Sequence, residues 1–413
     1  MKTRDLLILS WHQVYLSSNA GGYVRLREFI KRVPKDISFM LLDNNPTIFN
    51  DIVDDANLKI FDTPSILKKV KHFFLPWLLL ETLFTGFIIY RIAQKIIVNN
   101  NCKVLYVPIG EFPQLYIPAI FLKIRFPQIK LVVDILNYEV PDNNVINYYK
   151  NLRKNGIGIF RGLITIIMYF IGYFLTNITI SRVDYIFTVS PELVGKIKKK
   201  YRKQTINYTP SGVNSSFDLK YSKTKEYRGI YVGRITAQKG VYDLVHLWSK
   251  YTSHNPSAKL AIVGSTDDEN KKLLKLEISK RKLQKNIDVF FDASNEVKNK
   301  ILSQSAMFLH MAKYEPLFPV IGILEGLAYG LPVILYDMNV IPRNLDKSNA
   351  SNFIYVVNSG DIDKVLSVIK QYSTYSDDKK NNIFQAARKY ANGYDWDTIA
   401  AKEFKIITQM IKK

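Results

Sequence analysis

Short apolar runs alternate with longer stretches in which apolar positions recur every three or four residues, nearly throughout the chain. The short runs read as strands buried on both faces and the longer ones as amphipathic helices. That alternation predicts parallel sheets covered by helices, an α/β fold. In the first half the runs predict strands at Asp5–Ser10, Ile37–Leu42, Lys103–Val107, Lys130–Ile135 and Tyr185–Val189. In the second half they predict strands at Gly229–Val232, Lys259–Val263, Ile287–Phe291, Met307–His310, Pro332–Leu335 and Phe353–Val356. Between Tyr201 and Glu226 the chain turns polar, with Pro210 and Gly212, and reads as a linker. We therefore expect a first domain over residues 1–212, a second over 213–394 and a C-terminal helix over 395–413.

Two stretches break this pattern. Phe73–Tyr90 carries one charge, Glu81, and Gly162–Ile180 carries none. The second meets the length and composition test for a membrane-crossing helix, and a buried core helix is the other reading of both. Basic residues flank each stretch on both sides: Lys68, Lys69 and Lys71 before Arg91 and Lys95, then Arg153, Lys154 and Arg161 before Arg182 and Lys196. Both ends then favour the anionic, cytoplasmic face of a bilayer, and a single crossing would separate the two halves of the chain. The expectation is of helices that dip into the interface without crossing it.

The chain has 413 residues, enough for two ordinary domains, and its 47% hydrophobic and 23% charged residues exclude a disordered polymer. Its single cysteine, Cys102, excludes an internal disulfide and a cysteine-based zinc site. The sequons at Asn177, Asn207 and Asn214 are then chance matches. The first ten residues read as a buried strand, not a signal peptide. With 58 basic residues against 36 acidic ones, the formal charge of +22 points to an anionic partner: nucleic acid, a membrane surface or a phosphorylated substrate. No aromatic or motif pattern of a nucleic-acid binder accompanies the charge, so no nucleic-acid partner is expected. Lys196–Lys203 reads as a solvated helix end, with an anionic-lipid contact as its second reading.

Three segments can carry chemistry. Gly21 and Gly22 lie between the first strand and a helix, where backbone amides can face an anion, although such a pair is also an ordinary turn. In Gly233-Arg234-Ile235-Thr236-Ala237-Gln238-Lys239-Gly240, a strand ends at Gly233 and two cations follow before a helix. Cations at the carboxyl edge of a sheet suit a departing diphosphate; solvated loop cations are the plainer reading. The third segment runs from Glu315 through Phe318 and Gly322 to Glu325 and a tight turn at Gly330-Leu331-Pro332. Glu325 sits among apolar residues, where a carboxylate needs a partner, and ribose hydroxyls would serve.

Taken together and in this order, these segments resemble the retaining GT-B glycosyltransferases of family 4, over essentially the whole chain. Asp184–Ser190, Pro210–Asn214, Ile262–Gly264 and Trp396 in Asp395-Trp396-Asp397 carry the same resemblance. It implies two Rossmann-like domains whose parallel sheets face a central cleft, with the C-terminal helix crossing back to the first domain. It also implies a nucleotide-sugar donor held mainly by the second domain, and no cofactor. By position, Arg234 and Lys239 would hold the diphosphate, Glu325 the ribose, Gly21 and Gly22 the distal phosphate, and Phe318 would line the donor site.

Two departures stand out. The family's two glutamates are eight positions apart, which here falls on Leu317, whereas Glu315 lies ten before Glu325. Either the loop is longer or the sugar-contacting carboxylate is lost; Glu315, still followed by Pro316, favours the longer loop. Where many members carry a histidine or aspartate after the fourth strand, this chain has Asn137, which cannot act as a base; Asp134 or Glu139 could. Glu315, Asp134 and Glu139 are thus the catalytic candidates. No metal is expected: Asp361-Ile362-Asp363 and Asp395-Trp396-Asp397 look like metal-binding pairs, but the resemblance implies a surface turn or helix start at both, and they read as solvated carboxylates. His12, His246, His254 and His310 show no ligand spacing, and His12 keeps only a chance of an acceptor contact. The expected activity is retaining transfer of a sugar from a nucleotide donor to a lipid-linked acceptor at the cytoplasmic membrane face. A soluble acceptor, or an idle subunit that positions a partner, are the alternatives.

Overall fold

The structure, a computed structural model, describes residues 4–11, 21–45, 49, 51–61, 75–108, 112–136, 149, 158–313, 315, 318–338 and 352–412. The chain forms two compact units. Unit 1 comprises residues up to Pro210 together with Asp397 onward, and unit 2 runs from Ser211 to Trp396.

In chain order unit 1 holds β1 (Leu6–Leu9), α1 (Gly21–Ile30), β2 (Phe39–Asp43), β3 (Leu58–Ile60), α2 (Leu75–Asn100) and β4 (Val104–Val107). It continues with α3 (Pro113–Arg125), β5 (Lys130–Ile135), α4 (Ile159–Arg182), β6 (Tyr185–Thr188), α5 (Pro191–Lys200) and β7 (Ile206–Tyr208). Its sheet is parallel, in the order β3-β2-β1-β4-β5-β6-β7. Alternate side chains leave opposite faces of a strand, so the sheet supports two cores. Leu7, Leu9, Leu105, Leu131 and Val133 pack under α2, α3, α4 and α5. Leu6, Ile8, Val104, Tyr106 and Val132 pack against α1 and the C-terminal helix, which supplies Ala400, Phe404 and Ile407.

Unit 2 holds β8 (Gly229–Val232), α6 (Val241–Thr252), β9 (Leu260–Gly264), α7 (Asp268–Lys280), β10 (Ile287–Phe291), α8 (Asn295–Ser303) and β11 (Phe308–His310). It ends with α9 (Ile321–Ala328), β12 (Val333–Tyr336), β13 (Ile354–Val357), α10 (Ile362–Ser373) and α11 (Asp377–Asn392), before α12 (Trp396–Lys412). This sheet is also parallel, in the order β10-β9-β8-β11-β12-β13. In both sheets the strand order reverses once, at β1/β4 and at β8/β11. Helices diverge from such a point and leave a crevice at the carboxyl edge, where α/β sheets bind ligands.

Every strand expected from the sequence is present within one or two residues. The short edge strands β3 and β7 were not expected. β7 lies inside the polar stretch read as linker, and its Asn207 and Tyr208 are exposed, so no apolar run announces it. The helix expected over 73–90 continues ten residues further, to Asn100.

Candidate active site

The reversal point of unit 2 gathers the charged residues. β8 ends at Val232, and Gly233 follows with its amide donating to the Val263 carbonyl. The chain then makes one short helical turn at Ala237–Lys239 before α6 starts. Gly240 sits in the left-handed region with φ +72, and a Cβ built there would lie 1.7 Å from the Met311 carbonyl oxygen. Only glycine lets this turn press against the exit of β11. The Lys313 amide, donating to the Gln238 carbonyl at 3.1 Å, locks the same approach.

This contact delivers Lys239 to the loop after β11. Its Nζ lies 2.6 Å from Glu315 Oε1, and both side chains are largely buried. His310, the last residue of β11, places Nε2 3.1 Å from the same oxygen. Its ring is buried and stacked near Tyr231 and Phe308. Burial pushes the Glu315 carboxyl up, but the His310 hydrogen bond and the Lys239 charge outweigh it and leave the group below the usual carboxylate range. Burial in turn lowers Lys239, only partly opposed by Glu315. The two form a charged pair that a stronger anion could divide.

Arg234 is exposed beside this pair, and among the described residues no carboxylate lies within ion-pair distance of it. Its carbonyl accepts a 2.7 Å hydrogen bond from the Tyr231 hydroxyl, which fixes the backbone as it leaves β8. The first turn of α9 packs close by: a Cβ on Gly322 would come within 2.8 Å of the Val232 carbonyl oxygen. The reversal point thus offers two cations, one of them paired, near a helix N-terminus whose amides lack partners within the helix.

The other expected donor residues fall as follows. Glu325 lies in the second turn of α9 and pairs with Lys298 of α8. Phe318 is buried in the core of unit 2, where it contributes packing. Gly21 and Gly22 open α1, after a loop that lies outside the described residues. Asp361 caps α10 through the Lys364 amide, Asp363 pairs with Lys250, and Asp395 accepts from Ser215. Asp397 pairs with Arg32.

On the acceptor side, Glu139, Asn137 and His12 lie outside the described residues. Asp134 is 1% exposed. Tyr106 donates to its Oδ1 at 2.8 Å and Arg25 to its Oδ2 at 3.2 Å. Arg25 also pairs with Glu403 of α12 and donates to Thr209 and the Pro210 carbonyl. One buried guanidinium serves two carboxylates, and burial together with the Glu403 charge raises the Asp134 carboxyl to about 8. His310 is the site residue that sequence reasoning passed over. Its signal was positional: it ends the strand that lies beside β8 at the reversal point.

Residues 217–390 match the family of glycosyl transferases group 1. The chain is 25% identical over 215 residues to poly(glycerol-phosphate) alpha-glucosyltransferase of Bacillus subtilis, covering 50% of this chain and 31% of that protein. It is 24% identical over 173 residues to GDP-mannose:cellobiosyl-diphosphopolyprenol alpha-mannosyltransferase of Xanthomonas oryzae pv. oryzae, covering 42% of this chain and 44% of that protein. The chain thus spans less than half the length of these curated relatives. The crystal structure of a glycosyltransferase from Rickettsia africae superposes with a TM-score of 0.67 at 15% identity, covering 100% of both chains. The fold is GT-B: two parallel-sheet α/β domains, of seven and six strands.

Proposed function

We propose that this chain is a retaining glycosyltransferase that moves a sugar from a nucleotide-diphosphate donor to a lipid-linked acceptor at the cytoplasmic membrane face. The observation that carries the reading is the Lys239–Glu315–His310 cluster beside Arg234 at the reversal point of unit 2. Without donor, Glu315 neutralises Lys239. A diphosphate brings two negative charges, draws Lys239 toward itself together with Arg234, and meets the amides of the first turn of α9. Glu315 Oε1 then loses one of its two partners and can accept from a hydroxyl of the sugar ring, while His310 keeps the carboxylate oriented. Glu325 with Lys298 lies on the next turn of α9 for the ribose.

In the transfer, the bond from the anomeric carbon to the diphosphate oxygen breaks and the acceptor oxygen bonds to that carbon on the same face. The acceptor proton passes to the departing phosphate. Positive charge fixed at Arg234 and Lys239 stabilises the charge that develops there, so no metal is needed for this step. The lipid-linked acceptor is supported by the polyprenol-linked acceptor in the name of the Xanthomonas relative. The test is transfer by the purified chain from a panel of nucleotide-diphosphate sugars to polyprenyl-diphosphate-linked saccharides in detergent. Transfer that Lys239→Ala abolishes and a chelator leaves intact is expected. Transfer to soluble saccharides alone would overturn the acceptor assignment.

A further inference from the structure

The helices α2, α3 and α4 lie side by side on one face of the unit 1 sheet, with α3 packed against both neighbours. Their inward sides are accounted for: Ile89, Ala93, Ile97, Leu115, Ala119, Leu122 and Ile180 are buried in the core. Their outward sides are the reverse of what a water-facing helix layer carries. On α2, Leu80, Leu83, Phe84 and Phe87 are exposed at the i, i+3, i+4, i+7 spacing of one helical stripe. On α4, Leu163, Ile167, Phe170 and Phe174 form a second exposed stripe, about 16 Å long. Phe121 and Ile124 of α3 are exposed as well. Phe87 is 61% and Phe174 64% exposed, values at odds with a core role.

Charge selects what covers this surface. The three helices contain one acidic side chain, Glu81, which is buried, against six basic ones. The stripe on α2 passes from Phe87 into exposed Arg91 and Lys95, and α4 ends at exposed Arg182. Exposed Lys196, Lys198 and Lys199 follow on α5. An apolar plate whose three helices carry no exposed acid among the described residues, with cations at its rim, matches a leaflet with anionic headgroups above acyl chains. Helix α4 is long and apolar enough to cross a bilayer. Yet Thr179 and Ile180 are fully buried at its end, and Asn177 is tied to Lys200 and Tyr201 of the next helix and turn. A crossing would tear these from the unit.

We propose that the outward face of α2, α3 and α4 is a bilayer-docking plate that rests on an anionic leaflet, its Leu and Phe side chains inserted and its basic rim among the headgroups. This surface is independent of the transfer chemistry, so vesicle binding and sugar transfer are read separately.

The test is co-sedimentation of the full chain, without donor, with phosphatidylglycerol–phosphatidylcholine vesicles and with pure phosphatidylcholine vesicles. The expected result is binding to the anionic vesicles that about 1 M salt weakens but does not abolish, because insertion is not screened. The variant Leu83→Gln/Phe87→Gln/Phe170→Gln/Phe174→Gln should bind at least about tenfold more weakly, with an unchanged circular-dichroism melt. Because four substitutions could disturb folding, Arg91→Gln/Lys95→Gln supplies a second reading: it should weaken binding to anionic vesicles and leave the melt unchanged. Unaltered vesicle affinity in both folded variants would overturn the proposal. So would a chain that ignores vesicles and forms a dimer that the four substitutions dissolve, since the plate would then face a second copy.

Discussion

Single side chains decide the proposed donor site. Lys239 is held by Glu315 and by a turn that Gly240 permits. Lys239→Ala leaves Glu315 to His310 and should lower the stability of unit 2 without unfolding it, and cut turnover roughly a hundredfold or more. Arg234→Ala should cut turnover likewise; near-native turnover in either folded variant would remove the diphosphate assignment. Glu315→Gln keeps the shape of the side chain but not its charge. It should impair transfer strongly while nucleoside-diphosphate affinity, measured by calorimetry, is kept or raised, because Glu315 no longer competes for Lys239. Arg234, Lys239 and Glu315 could be singled out as candidates in the sequence because they stand in Gly- and Pro-interrupted loops after strands, and Glu325 because it is a carboxylate among apolar residues. His310 was not legible: within an apolar strand it looks like any core residue until its neighbour across the sheet is known. Asp134 looked open at a strand end, yet Arg25, distant in sequence, seals it. Its raised carboxyl binds a proton in the folded state that the unfolded chain releases. That contribution to stability is complete below the ordinary carboxylate range and is lost as pH rises to about 8. Asp134→Asn should flatten the fall in unit 1 stability over this window; a slope unchanged from wild type would show that Asp134 is not the titrating group.

At the scale of elements, the positions of all strands but the edge strands β3 and β7 followed from apolar runs, while the contacts that aim the loops did not. Gly240 and Gly212 show why. Gly240 read as a helix start, but its role is the close approach to Met311. A Cβ on Gly212 would meet the Trp396 ring at 2.6 Å, and the Val213 and Trp396 backbones pair through Tyr394 and Val213 carbonyls. Two segments of the family resemblance, far apart in sequence, are therefore neighbours for a packing reason. Gly240→Ala combines a left-handed backbone with a backbone clash, and should destabilise unit 2 by about 3 kcal/mol or more. Because the clash lies on the turn that carries Lys239, the variant should lose turnover even at temperatures where circular dichroism shows it folded. Full activity in that variant would mean the turn can relax without moving Lys239.

For the whole molecule, the chain leaves unit 1 after Pro210 and re-enters it at Asp397, and α12 belongs to unit 1 through its packing. Phe404 stacks on Phe29 with ring centroids 4.1 Å apart, while Glu403 joins Arg25, which also binds Thr209 and Pro210. The apolar stripe of this helix would suit a sheet of either unit, so only the family resemblance pointed it back to the first domain, where its Ala400, Phe404 and Ile407 pack. Two units, each with cores of its own, predict separable stabilities. Phe404→Ala removes a large buried ring from unit 1 and should lower its unfolding free energy by about 3–5 kcal/mol. Nucleoside-diphosphate affinity, a property of unit 2 in this reading, should not change. Conversely, a nucleoside diphosphate at about a hundred times its Kd should stabilise unit 2 by about 2.7 kcal/mol and leave unit 1 where it was. Differential scanning calorimetry with and without ligand, on wild type and Phe404→Ala, separates these effects: substitution should move one transition and ligand the other. If both perturbations shift a single common transition, the two units unfold as one cooperative body, and the assignment of α12 to unit 1 alone fails.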